Sequence, residues 1–242
     1  MLRSDGIACA FPAASSAPRT VYLSGVVHPA IFGQRTDLLR EPRPDLGVIL
    51  TPAMGNRPEL TTTPWAADNA CFTDPAGFRL ERYLRWLASM SVFLPTCLFA
   101  VAPDVVADAV ATWERSAPVL PLIRAAGYPA ALVAQNGIED MEVEWDAFDV
   151  LFLGGCTRWK LSDASRIITA EARRRGKPVH MGRVNSRKRL RTGSMWGCTS
   201  VDGTFLAPAP DFNVPRLVSW LDELNREPSL QLGGAHPQGF AA

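Results

Sequence analysis

The amino-acid sequence predicts an α/β protein with the fold of a (β/α)8 barrel in a single domain. Eight short apolar runs are candidate strands, and most are continuous rather than alternating, as in parallel strands buried on both faces. Helical patterns separate several of these runs, and a length of 242 residues suits one barrel. A doubly wound open sheet is the alternative, because it also alternates strands with helices.

The candidate strands divide the chain into an arm, a barrel and a tail. Residues 1–20 are expected to form a loose N-terminal arm, and residues 21–226 the barrel. Residues 227–242, rich in Gly, Pro and Gln, are expected to form a flexible tail. The eight strands are predicted, in chain order, at Val21–Val27, Gly47–Leu50, Trp65–Ala67, Leu98–Ala102, Ala130–Ala134, Val150–Leu153, Pro178–Met181 and Cys198–Val201.

Four helices are predicted from apolar spacing, at Phe78–Met90, Val105–Ala126, Ser162–Arg175 and Val214–Arg226. The first carries its apolar residues on one stripe. The second is interrupted at Pro118 and Pro121, because proline cannot continue the hydrogen bonding of a helix. The third opens with Ser162, a residue type that caps the first turn.

Composition excludes several classes of protein. With 47% hydrophobic and 20% charged residues, the chain is expected to be globular rather than disordered or fibrous. No apolar run reaches the roughly 18 residues of a membrane span, so we expect no membrane partner. The first residues have too short an apolar stretch for a signal peptide, so we expect a cytoplasmic protein. No disulfide framework and no metal site is expected from five scattered cysteines, Cys9, Cys71, Cys97, Cys156 and Cys198.

Two oppositely charged segments underlie a net charge of only +1. Residues 104–149 hold nine acids and two bases, a balance of −7, whereas residues 158–191 hold twelve bases and two acids, a balance of +10. Segregation of this size indicates a polyanionic partner, although a solvated helix face is the alternative for any one basic run. We assign nucleic-acid binding to the run at the expected catalytic face: Arg187, Lys188, Arg189 and Arg191.

Polar residues follow five of the predicted strands, at the end of a parallel barrel where active sites lie. They are Asp68 and Asn69, then Asp104, then Gln135, then Gly154 and Gly155, and finally Asp202. Three carboxylates without clustered His or Cys favour nucleophilic and acid–base chemistry over zinc chemistry. A carboxylate, an amide and the exposed N–H groups of a Gly-Gly pair can together bind the edge of a purine.

These segments resemble, in order, motifs of the tRNA-guanine transglycosylase superfamily, whose members exchange guanine for a 7-deazaguanine on a (β/α)8 barrel. WAADNACF is similar to the D-S-G-G-F-Q segment, LVAQNG to V-Q-G-G and LFLGGC to G-G-L. FAVAPD resembles the segment whose aspartate binds guanine, KPVHMGRVNSRKRL the M-G-V-G strand and loop, and CTSVDGT the segment of the nucleophile. The resemblance runs from about residue 65 to residue 204.

The resemblance implies a role for each of these residues. Asp202 would be the nucleophile that attacks C1′, and Asp68 the general base and acid. Base binding would fall to Asn69, Asp104, Gln135, Gly154 and Gly155. No cofactor is implied, because the exchange conserves the energy of the glycosidic bond.

Two departures point to one branch of the superfamily. The D-S-G-G-F-Q segment is altered here, and the zinc subdomain of tRNA-modifying members, C-x-C-x-x-C followed by His, is missing, since no cysteine follows Cys198. The chain is therefore more similar to the zinc-free, DpdA-type DNA deazaguanine transglycosylases of phages and bacterial genome islands. That similarity implies DNA and a free 7-deazaguanine base, such as 7-cyano-7-deazaguanine, as partners in a bacterial or phage-infected cell.

Three alternatives remain open at the level of sequence. The same chemistry could act on tRNA, against which the missing zinc motif counts. A non-catalytic nucleic-acid-binding paralogue could retain the barrel, or a barrel glycosidase could use two of the aspartates. The basic segment fits a polyanion better than a neutral sugar.

Overall fold

The computed structural model describes residues 20–27, 43–55, 59–74 and 76–226. Within these residues eight parallel strands pair in chain order and close into a barrel. The last strand pairs with the first, from Val21 against Ser200 to Ser24 against Gly203. The (β/α)8 prediction is confirmed, and the open-sheet alternative is wrong because an open sheet has no such pairing. The predicted arm at 1–20, apart from Thr20, and the tail at 227–242 lie outside the described residues.

The strands are β1 (Val21–Ser24), β2 (Leu46–Leu50), β3 (Trp65–Ala67), β4 (Cys97–Val101), β5 (Ala130–Ala134), β6 (Val150–Leu153), β7 (Val179–Met181) and β8 (Ser200–Gly203). Three of them, β3, β5 and β6, have the predicted bounds. Strand β1 ends three residues earlier than predicted, and β8 begins and ends two residues later than predicted. Asp202 therefore lies within the strand, paired with Leu23, and not after it.

The α-helices of the described residues are α1 (Leu80–Ser89), α2 (Ala109–Ser116), α3 (Leu120–Ala125), α4 (Thr157–Lys160), α5 (Asp163–Arg174), α6 (Arg187–Trp196) and α7 (Pro210–Arg226). Short 3-10 turns lie at Ser91–Thr96, Ile138–Asp140 and Trp145–Ala147. The break between α2 and α3 falls around Pro118, and Pro121 lies in the first turn of α3. Ser162 caps α5 as predicted, accepting from the N–H of Ser165.

Helix α6 is a correction to the sequence analysis, which placed its basic residues in a loop. Ser186 caps the helix by accepting from the N–H of Arg189, and Gly197 ends it in the left-handed conformation, with φ of 81°. The segment Arg187–Arg191 therefore forms the first turns of a helix. In the described part of the chain, no helix combines the length and apolarity needed to cross a bilayer.

The core has two layers, which explains why the strands are apolar throughout. In β5, Ala131 and Val133 pack with Leu23 and Phe99 in a cluster made only of strand residues, the barrel interior. The alternate residues of β5, including Leu132, pack outward against the helices. Side chains of a strand alternate between faces, so a strand buried on both faces is a continuous apolar run.

Candidate active site

The structure gathers the predicted catalytic and base-binding residues at the carboxyl-terminal rim of the barrel. Asp68 and Asn69 directly follow β3, Gln135 directly follows β5, and Gly154 directly follows β6. Asp104 lies three residues beyond the end of β4. Because all eight strands are parallel, these positions lie at the same end of the barrel, where barrel enzymes carry their active sites.

A hydrogen-bonded network links residues that follow four adjacent strands, β3 to β6. The side-chain amides of Asn69 and Gln135 donate to the two carboxylate oxygens of Asp104, at 3.1 and 2.7 Å. The N–H of Gly155 donates to Oε1 of Gln135 at 2.8 Å. Burial raises the pKa of Asp104, and the two amides act in the opposite direction. The network brings a buried carboxylate, an amide and a backbone N–H together at the rim of the barrel.

Both glycines that follow β6 are required by this network. A Cβ on Gly154 would lie 2.4 Å from Cγ1 of Val133 and 2.9 Å from Nε2 of Gln135. Gly155 has a φ of 59°, in the left-handed region, and a Cβ there would overlap the ring of Trp159. Only glycine avoids these contacts while letting the backbone N–H reach Gln135.

Asp68 is set apart from the network and has the protonation behaviour of an acid–base group. Its Oδ1 accepts from the N–H of Ala70 at 2.8 Å. Burial, with smaller contributions from the charges of Asp202 and Asp104, raises the pKa of Asp68 to about 7, against the bond from Ala70. A carboxyl group with a pKa near neutrality can both give and take a proton at physiological pH.

Asp202 projects from β8 between two N–H donors. Its Oδ1 lies 2.9 Å from Nε2 of His180, and its Oδ2 accepts from the N–H of Arg183 at 3.3 Å. The side chain is 15% exposed, so a ligand can reach it. A Cβ on Gly182 would lie 3.2 Å from Oδ1, and glycine there leaves room for the carboxylate.

His180 is a site residue to which the sequence analysis assigned no role. It is completely buried on β7, against the rings of Phe99 and Phe152, with Nδ1 at 2.8 Å from Oγ of Ser200. Burial lowers the pKa of His180, so the ring is neutral. We assign the proton to Nε2, which donates to Asp202, while Nδ1 accepts from the Ser200 hydroxyl.

The signal for this contact was present in the spacing of β8. Ser200 and Asp202 are two residues apart in a strand, so their side chains share a face. His180 pairs with Ser200 on the neighbouring strand. Recognising the contact required the register of β7 against β8, which the sequence does not state.

The basic residues assigned to nucleic-acid binding separate into two groups. Arg187 and Arg191 both bond to the carboxylate of Glu223 on α7, Arg187 through Nε at 2.8 Å and Arg191 through NH1 at 3.2 Å. Lys188 is exposed. Arg189 is half-buried and donates to the backbone carbonyl of Arg183 at 3.3 Å. Arg189 thus contacts the loop after β7, whose Arg183 N–H donates to Asp202.

The described residues contain no group of three or more His, Cys, Asp and Glu side chains able to hold a metal ion. Four of the five cysteines lie within them, and these four are free thiols: Cys71, Cys97, Cys156 and Cys198.

The comparisons with known proteins bear on the fold. No protein-family model matches the chain, and no curated protein matches it. A solved structure of native KDPGal is similar with a TM-score of 0.52 at 11% identity, over 89% of this chain and 98% of that chain. A structure from Aquifex aeolicus VF5 has a TM-score of 0.51 at 14% identity, over 88% of this chain and 95% of that chain. The BexX/CysO complex of Amycolatopsis orientalis has a TM-score of 0.50 at 14% identity, over 96% of this chain and 98% of that chain. These likenesses support the barrel fold alone.

Proposed function

We propose that the protein is a base-exchange transglycosylase that replaces guanine in DNA with a 7-deazaguanine through a covalent aspartyl-nucleotide intermediate. The observation that carries the proposal is the meeting of Asp202, Asp68 and the network of Asp104, Gln135 and Gly155 at one rim of the barrel. The resemblance to transglycosylases assigns the nucleophile, the proton transfer and the base binding to these same residues. The missing zinc motif favours DNA over tRNA as the substrate.

Base recognition is assigned to the network around Asp104. Guanine and 7-deazaguanine present N–H donors and a carbonyl oxygen on one edge. Each oxygen of the Asp104 carboxylate accepts one amide proton and keeps a further lone pair for a donor on the base. The amide of Gln135 and the N–H of Gly155 can turn to the carbonyl oxygen, so binding exchanges bonds within the network for bonds to the base.

The first half of the reaction releases guanine. An oxygen of Asp202 attacks C1′ and the bond from C1′ to N9 breaks, so that its electron pair stays with the departing guanine. Asp68 gives the leaving base a proton. Of the two Asp202 oxygens, Oδ2 has the longer contact, 3.3 Å against 2.9 Å for Oδ1, and is the better placed to attack.

The second half restores the enzyme. Asp68 takes the N9 proton of the incoming 7-deazaguanine, whose nitrogen attacks C1′ and releases Asp202 as a carboxylate. Two inversions at C1′ retain the configuration, as in retaining glycosidases. A pKa near 7 suits Asp68 to both proton transfers. The target nucleotide must leave the base stack, at a cost of a few kcal/mol in duplex DNA.

An exchange assay tests the proposal. Purified protein is incubated with radiolabelled guanine and either DNA or tRNA, and separately with 7-cyano-7-deazaguanine and DNA that is then digested for mass spectrometry of its nucleosides. We expect label and deazaguanine in DNA only. Asp163→Asn, which removes an exposed carboxylate at the start of α5, is the matched control and keeps activity. Label in tRNA alone supports the first alternative, and none in either substrate contradicts base exchange.

A covalent-adduct test separates the enzyme from a non-catalytic binding protein. Denaturing electrophoresis of the protein with labelled DNA, without added base, is expected to show a protein–DNA adduct that free guanine reverses. A binding protein retains DNA under native conditions and gives no adduct after denaturation.

A further inference from the structure

A pocket beside Asp202 brings three cationic side chains together. It is a small pocket between the residues after β6 and the residues after β7, and it is partly open to solvent. Lys160, Arg183 and Arg189 line it, with Thr157 at its edge, and no carboxylate is among its lining residues. The pocket adjoins Asp202 through Arg183, whose N–H donates to that carboxylate.

Lys160 is a buried ammonium group with unused donors. It is 5% exposed and donates to the carbonyl of Gly182 at 2.6 Å. An ammonium group has three donors, and that bond is the one hydrogen bond it makes within the described residues. Burial and the charge of Arg183 lower the pKa of Lys160 to about 7, against the charge of Asp202. The fold thus places an amine where its charge is disfavoured unless an anion accompanies it.

The two arginines of the pocket also lack carboxylate partners. Among the described residues, no ion pair involves Arg183 or Arg189, whereas Arg187 and Arg191 of the same segment bind Glu223. Arg183 donates to the carbonyl of Gly155 and lies over the ring of Phe72, 4.6 Å from its centroid. It also has a φ of 59°, a strained conformation for a residue with a side chain.

These features describe an anion site. Like charges repel when they converge in a partly buried pocket, and three cations here converge without a lining carboxylate. An anion with several acceptor oxygens would take the remaining donors of Lys160 and of both guanidinium groups, the geometry that suits arginine to phosphate. In barrel enzymes the loops after the seventh and eighth strands frequently form phosphate sites, and the residues after β7 line this pocket.

We propose that this pocket binds a phosphodiester group of the nucleic-acid strand, beside the nucleotide that Asp202 attacks. The identity of the strand rests on the proposed function, whereas the anion site rests on the three cations. A phosphate held there fixes the sugar of the extruded nucleotide against Asp202. Arg189 alone of the basic residues assigned from sequence lies in this pocket.

Calorimetric titration with inorganic phosphate at constant ionic strength tests the anion site. We expect one phosphate per protein, and a dissociation constant raised at least ten-fold in Arg189→Gln, as for loss of a charged hydrogen bond. Arg166→Gln, which removes an exposed arginine paired with Asp163 on α5, is the matched control and leaves binding unchanged. No phosphate binding by the wild type, or equal binding by Arg189→Gln, overturns the site.

Lys160→Met separates ligand binding from a structural role. Methionine keeps much of the volume and removes a buried charge, so we expect loss of phosphate binding together with an unchanged or higher melting temperature. A lower melting temperature with unchanged phosphate binding assigns Lys160 to the fold and contradicts its role in the pocket. If the variant does not fold, Arg189→Gln decides the question.

Oligonucleotides that carry one neutral methylphosphonate linkage test the strand. We expect wild-type affinity to fall at one linkage flanking the target guanine, and Arg189→Gln to be insensitive to that same linkage. Phosphate binding without a sensitive linkage would mean that the pocket takes a free phosphate, and overturns the assignment to the strand. A sensitive linkage without base exchange leaves the pocket standing and contradicts the proposed function instead.

Discussion

His180 and Asp202, on the neighbouring strands β7 and β8, are joined by a 2.9 Å contact between Nε2 and Oδ1. The histidine is completely buried and its other nitrogen is held by Ser200 at 2.8 Å. The chain from hydroxyl to imidazole to carboxylate therefore fixes one oxygen of Asp202 and leaves the other near the rim. In the proposed reaction His180 would act through Asp202, as a positioning residue.

We expect His180→Ala to lower kcat for base exchange about 10- to 100-fold, because a hydrogen bond to a charged group contributes about 1.5–3 kcal/mol. The KM for the free base should stay unchanged, since the Asp104 network is intact. Ser200→Ala, which removes a neutral donor, should have a smaller effect on kcat. A rise in KM with kcat unchanged would place His180 in base binding, contrary to this assignment.

Asp202→Asn should abolish exchange and the covalent adduct while leaving the fold intact. The amide keeps the volume of the carboxylate and can still accept from His180 through its oxygen, but it lacks the nucleophilic charge. Circular dichroism and melting temperature monitor the fold, and labelled guanine monitors exchange. Measurable exchange by the purified variant would move the nucleophile elsewhere.

Asp68 should impose an inflection near pH 7 on the rate of exchange, because burial and two neighbouring carboxylates raise its pKa to about 7. Asp68→Asn should lose this inflection and about 10²–10⁴-fold of the rate, the range of general acid–base catalysis. The measurement is kcat/KM from pH 5 to 9 for both proteins. An inflection that persists in the variant belongs to another group.

The same raised pKa predicts the effect of Asp68 on stability. Between pH 4 and 7 the folded state binds more protons at Asp68 than the unfolded state, whose carboxyl titrates near 3.8. The contribution of Asp68 to the free energy of unfolding is therefore largest below about pH 4, and it is lost as the pH rises through 7. Since solvent reaches the half-buried group, we expect Asp68→Asn to be about 1–2 kcal/mol more stable than wild type at pH 8. Denaturant unfolding at pH 4 and 8 measures the difference.

Gly155→Ala should impair base binding beyond its effect on the fold. A left-handed φ disfavours alanine by about 1–2 kcal/mol. At position 155 the alanine Cβ would in addition overlap the ring of Trp159. Gly176→Ala is the control, because Gly176 has a φ of 72° and no atom within 4 Å of a Cβ. We expect both variants to lose stability and only Gly155→Ala to raise the KM for the free base. Equal KM values would remove Gly155 from base recognition.

Replacing Arg187, Lys188 and Arg189 together with Ala should flatten the salt dependence of DNA binding by about 0.7–0.9 in log–log slope, the contribution of one phosphate contact, because Arg189 alone of the three lines the pocket and Arg187 is bound to Glu223. The matched control is the triple alanine variant of Arg173, Arg174 and Arg175, which removes equal charge. Arg174 and Arg175 bind Glu171 at the far end of α5. DNA-binding titrations over a series of salt concentrations compare the two triple variants. Equal slopes would mean that the basic residues of α6 face solvent and do not contact phosphates.

Much of the barrel could be predicted from sequence because its signals are local. Strands buried on two faces leave continuous apolar runs, and Ala130–Ala134 was predicted at its observed bounds. The break at Pro118 follows from the chemistry of proline alone. Helix α6 was missed because its first turns are basic and its apolar residues are few. Its cap at Ser186 was the available local signal.

The site was predicted where a residue is fixed by its place along one strand. Asp68, Asp104 and Gln135 are early polar residues after apolar runs, and parallel strands bring such positions to one rim. The Gly-Gly pair after β6 was visible in the sequence, whereas the contacts with Gln135 and Trp159 that require glycine there came from the tertiary structure. The tertiary structure decided everything that depends on register and closure: the place of Asp202 inside β8, its bond to His180, and the meeting of Lys160, Arg183 and Arg189. These contacts join separate strands and loops, and no local pattern encodes which side chains of two elements will face each other until their backbones pair.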